Sequence, residues 1–234
     1  MGSREQLNSH SANVTISKFI PCCMRSRHIN DLAKENNLMQ KQIILMVGRI
    51  GSGKTTLADE LVANQQYVKL SFAADLKKAA AITGGFDVEL AYSREGKETR
   101  VPMSPQYTVG QFLQLYGTEV CRALDPDVWP NHVVNRIKCS SASKFIIDDC
   151  RFLNEANVLH QAFKKTAICF LTRETPPELA GSRDPRHSSE TGVESIRDAY
   201  YNSPRFYLLD NKNVGLEASH TAMHALHLRL TNED

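Results

Sequence analysis

No apolar run in the 234-residue sequence exceeds five residues, so nothing in it reaches the roughly 18 apolar residues of a membrane-spanning helix. No apolar leader with a small-residue cleavage site follows the start, and a soluble, cytoplasmic chain without membrane contact is expected. Cysteine is sparse. Cys22, Cys23, Cys121, Cys139, Cys150 and Cys169 have neither the paired spacing of a zinc site nor the density of a disulfide scaffold, which points to reduced thiols. A strong charge of one sign is also missing, since the formal net charge is +2. The first 41 residues carry six Lys/Arg against three Asp/Glu, so the rest of the chain sums to about −1. Nucleic-acid binding rests on basic stripes that displace counterions, so no stable nucleic-acid partner is expected. What is present is an ordinary globular composition, 41% hydrophobic, in a length that suits one domain with a real core.

Residues 1–41 are rich in Ser, Asn and basic groups, contain Pro21, and show only a weak helical pattern over 29–38. They read as a flexible basic extension. Cys22 and Cys23 beside Met24 and Arg25 suggest acylation, but Gln6 breaks the myristoylation pattern that Gly2 would need. From Gln42 onward the pattern changes. Apolar runs at 43–47, 67–72, 145–147, 167–171 and 207–209 predict strands, and helical patterns fall at 55–63, 74–82, 111–124, 130–137, 154–163 and 216–230. A polar stretch occupies 86–106. This alternation predicts an α/β fold, a parallel sheet flanked by helices, over residues 42–234.

Gly48-Arg49-Ile50-Gly51-Ser52-Gly53-Lys54-Thr55 satisfies G-x-x-x-x-G-K-[ST] at every required position, directly after an apolar strand and before a helical segment. Glycines let the backbone fold around phosphate oxygens, and amides at the helix start point at the anion. Lys54 adds a charge near the terminal phosphates, and Thr55 can ligate Mg²⁺. The motif predicts a nucleotide site of the P-loop NTPase type. Mg²⁺ in such sites also needs a carboxylate at the end of a neighbouring strand, which Asp148 or Asp149 can supply, one turned toward the loop and the other away. Either can instead cap the following helix.

Phosphoryl transfer between two anions needs positive charge at both ends and exclusion of water. Arg122 and Arg151 sit near predicted element ends, and Arg173, Arg183 and Arg186 fall in a segment that also holds Pro176, Pro177, Gly181 and Pro185. That segment, about 173–192, is too proline-rich for an ordinary helix and reads as a mobile lid. His220, His224 and His227 have helical spacing without a carboxylate or cysteine to complete a metal site, and a packed or solvated helix face is the better reading.

Ordered along residues 42–220, several short pieces are similar to the phage and viral deoxynucleoside monophosphate kinases, members of the adenylate-kinase-like P-loop kinases. They are 48–56, Ser71-Phe72-Ala73-Ala74-Asp75-Leu76-Lys77, Arg94-Glu95-Gly96-Lys97-Glu98, and Phe112 to Glu119 with Arg122 and Trp129. Asp149-Cys150-Arg151-Phe152 with Asn154-Glu155, His187 with Glu190, and Asp210-Asn211 complete the set.

The resemblance implies a sheet with nucleotide-monophosphate-binding (about 73–140) and lid insertions, ATP and Mg²⁺ as cofactors, and small-molecule nucleotides as partners of a monomer or homodimer. ATP would lie on Gly48, Arg49, Gly51, Ser52, Gly53, Lys54, Thr55 and Thr56, with Arg173 and Asn211 at the adenine. The acceptor would meet Lys77, Arg94, Gln114, Glu119, Arg122, Trp129 and Arg151. Thr55 and Asp149 would hold the metal, and Lys54, Arg151, Arg183 and Arg186 would carry the transfer. One departure is Gly110, where the family commonly has arginine; Arg100 is the candidate to replace that contact. The alternative is a metabolite kinase resembling dephospho-coenzyme A kinase or phosphomevalonate kinase; where the acceptor is a hydroxyl, Asp75 would accept its proton.

Overall fold

The computed structural model describes residues 38, 40–49, 51–172, 188–210 and 216–232. Strand β1 (Gln42–Gly48) is buried along its whole length, as its unbroken apolar run requires of a strand covered on both faces. Helix α1 (Lys54–Gln65) follows, then β2 (Val68–Leu70) and α2 (Phe72–Gly84), which ends where Gly85 takes a left-handed φ of 68°. The polar stretch holds a short helix α3 (Arg94–Glu98) and an antiparallel hairpin of β3 (Arg100–Val101) and β4 (Ser104–Thr108). A capping box between Thr108 and Gln111 starts α4 (Val109–Gln114), and the chain continues through a π-helical stretch (Leu115–Cys121) into α5 (Arg122–Leu124). Then come α6 (Val128–Cys139), β5 (Lys144–Cys150), α7 (Leu153–Ala162), β6 (Lys165–Thr172), α8 (Ser188–Tyr200), β7 (Phe206–Asp210) and α9 (Leu216–Asn232).

Five strands form one parallel sheet in the order β2-β5-β1-β6-β7. Side chains alternate across it. Ile43, Leu45 and Val47 join α6, α7 and α8 through Trp129, Val133, Ile137, Leu159, Val193 and Ile196. Ile44 and Met46 face the other way, onto α1 and α9 through Leu57, Leu61, Met223 and Leu226. Each such fully buried aliphatic contributes about 1.5–3 kcal/mol, so both helical layers are needed to cover the sheet. A smaller core of Ala80, Phe86, Val101, Val109 and Phe112 holds the 86–112 stretch to α2.

Every expected strand and helix is present, and α3, α8 and the β3–β4 hairpin are additional. The expected extension and most of the expected lid, including Arg173, Arg183, Arg186 and His187, lie outside the described residues, as does Asn211. Lys41, grouped with the extension, is buried, and its Nζ donates to the carbonyls of Ser140 (2.9 Å) and Ala142 (2.8 Å) at the end of α6. His227 packs edge-on against Tyr67, and no metal-type cluster of His, Cys, Asp or Glu occurs among the described residues. No helix among them is long and apolar enough to cross a membrane.

Helix α8 meets the end of β5 at Gly192, where a Cβ would fall 2.5 Å from the Arg151 carbonyl oxygen. Because that neighbour is backbone, it cannot swing aside. Gly192→Ala is therefore expected to destabilise the protein by about 1–3 kcal/mol, read as a lower denaturation midpoint; an unchanged midpoint contradicts the tight contact.

Candidate functional site

Val47 of β1 lies opposite Cys150 of β5, so Gly48 and Arg151 leave the sheet next to one another at its carboxyl end. In open α/β sheets this end is where ligands bind. The loop between β1 and α1 depends on glycine in two different ways. Gly53 caps α1 with a φ of 92°, which a side chain would strain, and a Cβ on Gly48 would lie 2.7 Å from the Leu171 carbonyl oxygen. Lys54 is buried, and its ammonium donates to the carbonyls of Gly48 and Arg49 (2.7 Å each) and lies 3.3 Å from Ser52 Oγ. The loop thus curls around its own lysine. Arg49 reaches Glu194 of α8 at 3.3 Å, while Thr56 is exposed on α1.

The two aspartates divide as strand alternation requires. Thr55 Oγ1 donates to Asp148 Oδ2 at 3.1 Å, and Lys69 Nζ stands 3.5 Å from the same oxygen while also bonding Asp59 at 2.6 Å. Asp149 turns the other way. It accepts from Ser71 Oγ (2.7 Å) and from the amides of Phe72 and Ala73 (2.9 Å each), anchoring the first turn of α2. Burial pushes its carboxyl pKa up, against these hydrogen bonds, which pull it down. The resemblance put Asp149 at the metal; here its oxygens bond the start of α2, and Asp148 is the carboxylate beside Thr55. A hydroxyl and a carboxylate oxygen form a donor set that suits a hard cation such as Mg²⁺.

Beyond Asp149 a cleft of about 130 Å³ opens between α2, the π-helical stretch, α6 and the start of α7. Arg122, Trp129 and Arg151 line it together with Phe72, Leu76, Gly117, Thr118 and Phe152. The single tryptophan donates from Nε1 to the Gly117 carbonyl at 3.2 Å, so it both packs and forms cleft wall. A Cβ on Gly117 would fall 2.2 Å from Leu76 Cδ1, so that side chain would have to turn aside. Lys77, Arg94, Gln114 and Glu119 do not line this cleft. Lys77 instead lies over the Tyr92 ring at 4.0 Å; Arg94 is exposed on α3, Gln114 at the end of α4, and Glu119 in the π-helical stretch. Arg100 braces its hairpin through the Gln106 carbonyl (3.1 Å), and at Gly110 a Cβ would approach the Lys97 carbonyl at 3.3 Å. The glycine there accompanies close packing of α3 on α4.

Glu155 belongs to the matching pieces, but the resemblance assigns it no role. It is buried at 2% exposure, accepts from the amides of Arg151 (2.9 Å) and Phe152 (3.1 Å), and pairs with Arg122. Its place three residues after Phe152 is the capping-box spacing, without the Ser or Thr that would flag it. Burial raises its pKa to about 7, although Arg122 and the two amides pull it down.

A carboxyl whose folded pKa lies above the ordinary 4.5 favours the fold in its protonated form. That contribution is complete below about pH 4.5 and is lost as pH rises through about 7. The melting temperature of the wild type relative to Glu155→Gln is expected to fall across this window; a difference independent of pH contradicts the burial effect.

No protein-family model matches the chain. A protein of Acanthamoeba polyphaga mimivirus described as "Putative deoxynucleotide monophosphate kinase" is 29% identical over 185 residues, covering 74% of this chain and 90% of that one. Among solved structures, a gluconokinase from Sinorhizobium meliloti 1021 is 15% identical, covers 82% of this chain and 94% of its own, and superposes with a TM-score of 0.46. A shikimate kinase from Acinetobacter baumannii in complex with shikimate is 18% identical, with 86% and 98% coverage and a TM-score of 0.42. The motif loop and the strand order make the chain an α/β protein of the P-loop kind, similar over most of its length to the mimiviral protein.

Proposed function

We propose that the protein is a phosphotransferase that moves the γ-phosphoryl group of ATP to the phosphate of a deoxynucleoside monophosphate, releasing ADP and the diphosphate. The observation that carries this reading is the register of β1 and β5, which sets the phosphate loop beside Arg151 and the cleft beyond it. A triphosphate on the loop and a phosphate near Arg151 then face each other across a short distance. The mimiviral relative's description supports the choice of acceptor.

In this reading the triphosphate oxygens replace the Gly48 and Arg49 carbonyls as acceptors of the Lys54 ammonium, and the amides at the start of α1 face them. Arg151 and Arg122 hold the acceptor phosphate. Its second pKa lies near ~6, so it is already mostly dianionic at neutral pH. One of its oxygens attacks the γ-phosphorus in line, the bond to the β-bridging oxygen breaks, and ADP leaves with that electron pair; no side chain has to accept a proton. Thr55 and Asp148 are the residues that would hold Mg²⁺, which when bound neutralises charge on the phosphates. Arg173, Arg183 and Arg186 are proposed to cover the nucleotide from the lid, with Asn211 at the adenine.

A hydroxyl acceptor would need a carboxylate poised to take its proton. Asp75, the candidate, is engaged by three basic side chains, which favours the phosphate acceptor. It is held by Arg136 at 2.9 Å, His132 at 3.4 Å and Lys78 at 3.6 Å.

Purified protein with ATP and Mg²⁺ is expected to release ADP in the presence of one or more deoxynucleoside monophosphates. The panel includes ribonucleoside monophosphates, phosphomevalonate and dephospho-coenzyme A; activity confined to the last two would replace the acceptor assignment. Lys54→Ala is expected to lower turnover by about 100-fold or more while the circular dichroism spectrum stays native. Retention of most of the rate would remove the loop lysine from the transfer.

A further inference from the structure

We propose that Glu155 is the positioning residue of the acceptor cleft: its carboxylate locks the Arg122 guanidinium and the turn carrying Arg151 into one preset unit that meets the incoming phosphate. This rests on the reading of the cleft as the site of a phosphate-bearing acceptor.

Glu155 stands at the third position of α7, where one oxygen, Oε2, takes the amides of Arg151 and Phe152 while the other, Oε1, takes Arg122. The same carboxylate therefore fixes the backbone of one cleft arginine and the side chain of the other. Arg122 has little freedom left. Its guanidinium lies 4.3 Å from the centre of the Phe152 ring and its Nη1 donates to the Pro126 carbonyl at 3.3 Å. The neighbouring Asn154 bonds that carbonyl (2.8 Å) and Asp127 (2.9 Å), so the start of α7 grips the 122–127 segment at separate points. Side-chain exposure is 15% for Arg122 and 3% for Glu155, and a charge left alone at that depth would be costly, which keeps the pair together.

Position in the cleft separates this pair from a merely structural one. Arg122, Arg151, Phe152 and Glu155 all line the same wall, and Asp149 lies beside them. The two arginines share that wall with two acidic side chains, so their charge is partly offset. A cleft with little charge excess grips a phosphate dianion only if its cations are aimed, and orientation then sets the affinity. Glu155 provides that orientation.

The test uses the full-length protein and its only tryptophan, Trp129, whose fluorescence reports this cleft. Each of the four deoxynucleoside monophosphates is titrated into wild type, Glu155→Gln, Arg122→Lys and the double variant, and steady-state KM values for ATP and acceptor are measured alongside. Glutamine keeps an oxygen for the two amides but turns an amide donor toward Arg122. Glu155→Gln is expected to weaken acceptor binding and raise acceptor KM about tenfold, leaving ATP KM within about twofold, and the double variant is expected to be no worse than the weaker single variant.

Wild-type affinity in Glu155→Gln, equal losses for ATP and acceptor, or strictly additive losses in the double variant would each overturn the proposal while leaving the acceptor assignment intact. A wild type whose fluorescence responds to no deoxynucleoside monophosphate, and which turns none over, overturns the acceptor reading itself and this proposal with it. If Glu155→Gln does not fold, Glu155→Asp is measured in its place. It keeps the charge but is one methylene short of spanning both partners, and about threefold weaker acceptor binding is expected; unchanged binding overturns the proposal.

Discussion

The parallel register between β1 and β5 is the constraint on which the site depends. Past a one-residue irregularity that follows the Leu45–Ile147 pair, Val47 lies opposite Cys150, and this delivers a glycine-rich loop and an arginine to the same end of the sheet. That register is held by burial: β1 is covered on both faces, and a slip by one residue would turn Ile43, Leu45 and Val47 out of one core and into the other. The position of the candidate chemistry is therefore set by hydrophobic packing some distance beneath it.

Above that frame the site is built from charges whose burial has been answered by specific partners. Lys54 is enclosed by loop carbonyls, Asp149 by the first turn of α2, and Glu155 by two amides and Arg122. Each arrangement ties a strand end to a helix start, so the polar groups also fix how the helices enter the sheet. Burial raises both Asp149 and Glu155, a cost that persists only because the partners are in place. Such preset charge is what transfer between two phosphates needs, because the protein then has little reorganisation left to do.

Much of the fold was legible in the sequence because β1, β5 and β6 are buried on both faces and show as continuous apolar runs, while the phosphate loop announces itself by glycine spacing. The hairpin of β3 and β4 was not, since its residues are polar and interrupted by Pro102 and Pro105. Helix α8 was hidden behind the proline-rich segment, with a sparse apolar face of Val193, Ile196 and Tyr200. In the site, alternation said that Asp148 and Asp149 must point apart but not which way, because the direction depends on which face receives α2. The Arg122–Glu155 pair was out of reach for a different reason: its members are 33 residues apart and meet only once α6 and α7 are packed. Lys77, Arg94, Gln114 and Glu119 came from resemblance alone, and the cleft beside Arg151 is lined without them.

The central claim is that two phosphate-bearing ligands meet at the carboxyl ends of β1 and β5. A bisubstrate analogue, adenosine joined to a deoxynucleoside through a polyphosphate, measures this directly by calorimetry and by competition. The account predicts one saturable site per chain, displacement by ATP and by the deoxynucleoside monophosphate alike, and affinity at least about 100-fold above that of either nucleotide alone. Displacement by only one of the two, or no gain in affinity from joining them, would contradict it.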